Sequence, residues 1–318
     1  MHRKGAWIRA KSARGQAISY QEREVGVLLG LIAALNWGVA DFMARFATRR
    51  TGSLRALLFM QVVGFAALSA IMAASGHWMS FFPPLEFASW AWITLAAILS
   101  ACSSLALYRS FEVGILALVS PIAASYPALT VIFSILSGER LTSAHAFGIA
   151  FAIAGVIFAA LPVKTGATPK ESATEHHHRH LLRGVPWALA AALGFGINYW
   201  ILGFRVMPIF SGLGSVWVIR LLTFVILAIL LRPMGQSFAI PRGSTAWLIF
   251  FIGLTDTAGF VANNIAFKQE EIAIATVLAS LYGAVTLFCA AAFLRERLGR
   301  RQWLGVVLIF VGVVLVSV

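Results

Sequence analysis

Apolar residues run along this chain in long blocks separated by short polar interruptions. The blocks fall at 25–46, 54–74, 89–108, 115–136, 144–162, 184–204, 213–231, 245–267, 272–294 and 302–318. A helix rising about 1.5 Å per residue needs about 20 apolar residues to cross about 30 Å of hydrocarbon. Each block therefore predicts a membrane-spanning helix, and the pattern predicts an all-α membrane protein of ten transmembrane helices. Residues 1–24 are basic and polar and read as a flexible tail. The one long polar break, "VKTGATPKESATEHHHRHLLR" at 163–183, holds Gly166, Pro169 and a run of histidines, and predicts a linker between two halves.

The halves, 25–162 and 184–318, repeat each other. "GVLLGLIAALNWGVADF" at 26–42 lies over "GVPWALAAALGFGINYW" at 184–200 without a gap, placing Gly26, Leu31, Ala33, Ala34, Leu35 and Gly38 on Gly184, Leu189, Ala191, Ala192, Leu193 and Gly196. Further on, "SYPALTVIFSILSGERL" at 125–141 returns as "SLYGAVTLFCAAAFLRERL" at 280–298. Tyr126 then falls on Tyr282, Pro127 on Gly283 and Tyr108 on Asn264. An odd number of spans per copy turns the second copy upside down in the bilayer, so the expectation is two inverted five-helix repeats. Inverted repeats, with matching helix breaks near the midplane, are the architecture of many secondary transporters. Pro127 removes a backbone donor and Gly283 relaxes the matching place, which marks both as helix breaks.

Those phrases, together with "AALNWGVADF" in the first span, resemble the EamA-type transporters of the drug/metabolite transporter superfamily. The resemblance covers nearly all of the chain outside the tail and linker. It implies ten spans, alternating access, a small-molecule substrate and a multi-pass protein of the cell (inner) membrane. An organic metabolite, an amino acid or a drug-like compound fits this reading, with export as the expected direction. The second copy departs from the family pattern, with Gly283 in place of the usual Pro and Arg295 where Gly would precede Glu296. The resemblance also implies both termini in the cytoplasm, whereas the loop Lys and Arg residues, counted alone, favour both termini outside.

Composition sharpens the class. Hydrophobic residues are 60% of the chain and charged residues 12%, against about half and a quarter in soluble domains. The formal charge of +13 sits in the tail and loops rather than on a polar domain, so no nucleic-acid partner is expected. Cys102 and Cys289 lie inside apolar blocks and read as small buried hydrophobes. The cluster Glu175–His180 lacks a framework that would fix a metal geometry, and no cofactor is expected. No metal-binding His pair, nucleophile elbow or phosphate loop is written in the chain, which sets an intramembrane enzyme below a transporter. A non-transporting membrane scaffold is the other alternative.

Ionisable groups within spans are costly and tend to face a wet interior. Asp41, Arg220 and Asp256 are the deep ones. Arg220 and Asp256 lie at similar depths on successive spans, which predicts a charge pair. Trp37 and Asp41 share a helix face. A substrate cavity between the halves is expected to be lined by Asn36, Trp37, Tyr108, Tyr126, Asn198, Trp200, Asp256 and Tyr282, on the first, third, fourth, sixth, eighth and ninth spans. Such a site offers aromatic walls and a few placed polar groups. Asp256, with Asp41 second, is the candidate for coupling to protons. The bilayer is the remaining partner, and the sequence carries no signal for oligomeric state.

Overall fold

The computed structural model describes residues 2–76, 78–82, 86–160, 183–269, 272–294 and 300–316. Their regular structure is helical: α1 (His2–Thr51), α2 (Ser53–Ala74), α3 (Phe87–Val113), α4 (Leu116–Ala123), α5 (Pro127–Leu136), α6 (Ser143–Ala160), α7 (Val185–Ile201), α8 (Gly212–Leu231), α9 (Ser244–Gln269), α10 (Ile272–Ser280), α11 (Tyr282–Leu294) and α12 (Arg300–Val316). Among the described residues, eight stretches are long and apolar enough to cross a membrane: Glu24–Thr51, Ser53–Ala74, Phe87–Val113, Val119–Leu136, Val185–Val206, Gly212–Leu231, Ser244–Gln269 and Ile272–Phe293. A shorter apolar stretch, Ser143–Gly155, lies in α6. Most of the polar linker, the Glu175–His180 cluster and Arg295–Leu298 lie outside the described residues.

Two of the eight stretches are broken helices, α4–α5 and α10–α11. The first break falls just before Pro127, which opens α5 where a missing N–H costs nothing. The second falls at Leu281. Gly283 is there for space: a β-carbon on it would lie 2.7 Å from the β-carbon of Ala124, at the first break. The two interrupted helices thus meet at their interruptions.

The "SGE" of the repeated phrase is a helix stop. Gly138 takes φ 99°, a left-handed conformation that favours glycine. Its N–H donates to the Ile135 carbonyl (3.0 Å) and the Glu139 N–H to the Ser134 carbonyl (3.1 Å), satisfying the last carbonyls of α5. The Glu139 carboxylate then accepts from the backbone N–H of Ala273 (3.3 Å), in the first turn of α10. A negative charge is favourable at a helix N-terminus, so the stop of one broken helix caps the start of the other.

Helices of one half pack against helices of the other in exchanged pairs. α1 lies along α9, and α3 along α7; α2 meets α8; α6 and α12 run along each other; α1 contacts α10 and α11 as α7 contacts α4 and α5. In lipid no hydrophobic drive brings helices together, so close packing of small residues must do so. α1 buries Ala33, Ala40, Ala44 and Ala47, while Leu28 and Leu35 stay exposed on its other face. Such exposed apolar faces suit contact with acyl chains. Cys102 is also exposed and Cys289 partly so. That corrects the expectation of buried cysteines. The neighbouring Ser103 turns inward against Gly194 and leaves Cys102 about 100° around the helix.

The sharpest exchanged contact joins α1 to α11 and α7 to α5. The Thr286 hydroxyl donates to the Gly38 carbonyl (3.1 Å), and the Thr130 hydroxyl donates to the Gly196 carbonyl (2.9 Å). Gly38 and Gly196 are repeat partners, and Thr130 and Thr286 are too. At both glycines a β-carbon would meet the same neighbours: the carbonyl of Tyr282 and the Val285 side chain at Gly38, the carbonyl of Tyr126 and the Leu129 side chain at Gly196.

Candidate functional site

The crossing of these helices surrounds a cavity of about 50 Å³. Its lining includes Trp37 and Asp41 from α1, Met60 and Gln61 from α2, Ser100, Ser104, Leu107 and Tyr108 from α3, and Tyr126 at the first break. From the second half come Phe195 and Tyr199 on α7, Ile219 and Arg220 on α8, Asp256 and Phe260 on α9, and Tyr282 on α11.

Nearly every lining residue has its repeat partner in the lining. The register that sets Gly26 on Gly184 pairs Trp37 with Phe195 and Asp41 with Tyr199. Matching the starts of α2 and α8 pairs Met60 with Ile219 and Gln61 with Arg220. The match of Tyr108 to Asn264 pairs Ser100 with Asp256 and Ser104 with Phe260, and Tyr126 pairs with Tyr282. Among these residues Leu107 and Tyr108 alone are unmatched. The walls are therefore symmetric in position but not in chemistry: Asp41, Arg220 and Asp256 face neutral Tyr199, Gln61 and Ser100.

The aromatic side chains form a continuous cluster. The Trp37 ring lies 5.9 Å from Tyr199, 6.0 Å from Phe260 and 6.3 Å from Tyr282, centre to centre. Tyr126 lies 4.9 Å from Tyr199 and stacks on Tyr282 at 6.4 Å. Glycine at 259 leaves room for the Trp37 indole, and the indole N–H donates to the Asp256 carbonyl (3.2 Å). The Tyr126 hydroxyl donates to the Thr276 carbonyl (3.3 Å), whereas the buried Tyr282 hydroxyl has no partner among the described residues.

The charges are distributed unequally. Arg220 forms an ion pair with Asp256, donates to the Gln61 amide oxygen (2.6 Å) and lies over the Phe260 ring at 5.6 Å. Opposite charge, a neutral acceptor and a π-face together lower the cost of holding a guanidinium in the membrane. Asp41 has neither hydrogen bond nor ion pair among the described residues, although it is 6% exposed.

Three of the residues chosen from the sequence do not line this cavity. Asn36 donates to the Ile32 carbonyl one turn back (2.9 Å). Trp200 donates to the Ser137 hydroxyl (2.8 Å) and lies against Phe133 and Phe204. Asn198 is fully buried, with both amide atoms unpartnered among the described residues. The reason is helical phase. Positions 37 and 41 face the cavity on α1, and 195 and 199 do on α7; Asn36, Asn198 and Trp200 each sit about 100° off that line. Applying the repeat register to Trp37 and Asp41 would have found Phe195 and Tyr199. The lining also draws on α2 and α8, the second and seventh spans, which the sequence reading left out.

At about 50 Å³ the cavity has room for a few waters. Pockets for small organic ligands run to about 300–1,000 Å³. The space is too small for such a ligand and must widen to admit one.

Comparison with known proteins places the fold and the family. A solved crystal structure of another protein superposes with a TM-score of 0.69 at 17% identity, covering 91% of this chain and 95% of that one. An uncharacterised transporter encoded in a cobO 3′ region of a Sinorhizobium species is 31% identical over 127 residues, which is 39% of this chain and 82% of that protein. The model of the EamA-like transporter family matches twice, over residues 24–161 and 182–318. The two matches take in both halves of the repeat and the helices that wall the cavity, and the chain belongs to the EamA-like transporter family of membrane transporters.

Proposed function

We propose that the protein carries a small organic molecule across the cell membrane by alternating access, with export as its direction. In this reading it has ten spans, counting α4–α5 and α10–α11 as one span each and adding α6 and α12. Residues 25–162 and 184–318 are inverted repeats related by an axis in the membrane plane, joined by the 163–183 linker. Substrate occupies the central cavity, opened from one side and then the other.

One observation carries the reading: the cavity is walled by residues that come in repeat pairs from both halves. Two copies of opposite orientation can exchange conformations, so a site on their shared axis opens to either face at equal structural cost. A scaffold has no need of paired helix breaks meeting over a cavity that carries charged side chains.

The test uses Ser104→Cys in a Cys102→Ser, Cys289→Ser background. Ser104 lines the cavity, and the two native thiols would otherwise compete. In oriented vesicles a membrane-impermeant maleimide is expected to label the introduced thiol from either side. Labelling from neither side, or from one side under every condition, would contradict alternating access.

Proton coupling falls to Asp256. Its carboxylate holds Arg220 through charge, and a proton on it would free the guanidinium and let the helices separate. Asp256→Asn is expected to abolish accumulation driven by a pH gradient while sparing part of the downhill exchange. Full pH-driven accumulation by that variant would move the coupling role elsewhere, with Asp41 the next carboxylate.

A further inference from the structure

We infer that the cavity takes an organic ammonium, with Asp41 as its counter-charge; this rests on the transport reading and names the substrate class of the same site. The argument begins with the count of charges. Two carboxylates and one guanidinium line the cavity. Asp256 and Arg220 pair with each other, and Gln61 and Phe260 take up more of the guanidinium, whose Nε has no hydrogen-bond partner among the described residues. The second acidic side chain, Asp41, remains, buried and without a partner among the described residues. A lone charge out of water is expensive and becomes tolerable when a cation is supplied.

The surroundings of Asp41 select the kind of cation. A small metal ion asks for about six oxygen ligands, whereas seven of the sixteen lining residues are aromatic. Trp37, Tyr126, Tyr199 and Tyr282 lie ring to ring at 4.9–6.4 Å. Ring faces attract alkylated ammonium groups, and the attraction grows when water is excluded. The unpartnered Tyr282 hydroxyl adds a second polar atom that a bound N–H group would satisfy. An anion is less suited, because Gln61 and Asp256 already hold both Nη groups of Arg220 and a second acidic side chain, Asp41, lines the site.

Repeat symmetry adds a reason for the position. Asp41 and Tyr199 are partners in the register, so the pseudo-axis sets a carboxylate across the cavity from a phenol. The ammonium end is thereby fixed near α1 and the organic end toward α7. That polarity gives an otherwise two-fold site one preferred ligand orientation.

The experiment is equilibrium binding to the purified protein in detergent, read by calorimetry and by the shift in thermal unfolding. The probes are phenethylammonium, its uncharged counterpart 2-phenylethanol, the anion 3-phenylpropanoate, and sodium chloride as the bare-cation control. Phenethylammonium is expected to bind roughly tenfold or more tightly than the alcohol, with no binding of the anion or of sodium. Asp41→Asn should lose at least about that factor, and Asp41→Glu should keep the preference for the cation. Equal binding of the alcohol, binding of the anion or of sodium, unchanged affinity in Asp41→Asn, or no binding of any probe would each overturn the inference. The comparison among probes on the unaltered protein stands even if Asp41→Asn fails to fold. Two-sided labelling of Ser104→Cys needs no ligand, so it separates failure of this inference from failure of the transport reading.

Discussion

Arg220→Met is expected to destabilise the folded protein by about 3 kcal/mol, because it strands a partly buried carboxylate. The Arg220 side chain is 5% exposed and that of Asp256 20%, so cavity water offsets only part of what the carboxylate loses. The Gln61 amide loses its donor and the Phe260 face its cation in the same step. The comparison that identifies the cause is a double-mutant cycle with Asp256→Leu, measured by SDS-induced unfolding in mixed micelles. Removing both charges should recover most of the loss, since a buried ion pair is worth little against apolar side chains that fill its volume. If Arg220→Met/Asp256→Leu is as unstable as Arg220→Met, the cost lies in packing of the arginine stem and not in the stranded charge. This pair joins α8 to α9, and the Trp37 bond to the Asp256 backbone ties it to α1. Its loss is therefore felt on both sides of the cavity.

How much of this was legible in the sequence follows from which physical rule each feature obeys. The membrane class and the repeat rest on span length and residue register, both properties of a string. The stop at Gly138 was visible as a phrase, but its second half was not: that Glu139 caps α10 depends on two distant helix ends meeting. In the site, Trp37 and Asp41 were legible because a spacing of four keeps residues on one helix face. Asn198 and Trp200 were chosen for residue type and missed for phase, although the register pointed to Phe195 and Tyr199. Gln61, Ser100 and Ser104 carry no signal of their own, since a lone Ser or Gln in a span also serves ordinary helix contacts. They line the cavity through the crossing of α2, α3, α8 and α9, which no local pattern encodes.

The same crossing sets the second large effect. Gly38→Ala is expected to cost more stability than its repeat twin Gly196→Ala, although the two substitutions are chemically identical. At Gly38 the new β-carbon would lie 2.5 Å from the Val285 Cγ1, closer still to its Cβ, and 2.9 Å from the Tyr282 carbonyl. At Gly196 it would lie 2.8 Å from the Leu129 Cβ and 3.0 Å from the Tyr126 carbonyl. A β-carbon and a carbonyl oxygen cannot rotate away, so α11 must back off from α1 further than α5 from α7. Overpacking of this kind costs about 1–3 kcal/mol. Gly38→Ala should lie at the upper end, because the retreat of α11 also stretches the 3.1 Å bond from Thr286 to Gly38 and draws Tyr282 away from Trp37. The substitution is thus expected to weaken binding of phenethylammonium as well as the fold. Val285→Gly in the Gly38→Ala background removes the β-carbon in the way and should restore part of both; Val285→Ala keeps that atom and should restore little. Unfolding midpoints for the four variants test the order, and a Gly196→Ala protein less stable than Gly38→Ala would show that α1 and α11 are not the tighter of the two crossings.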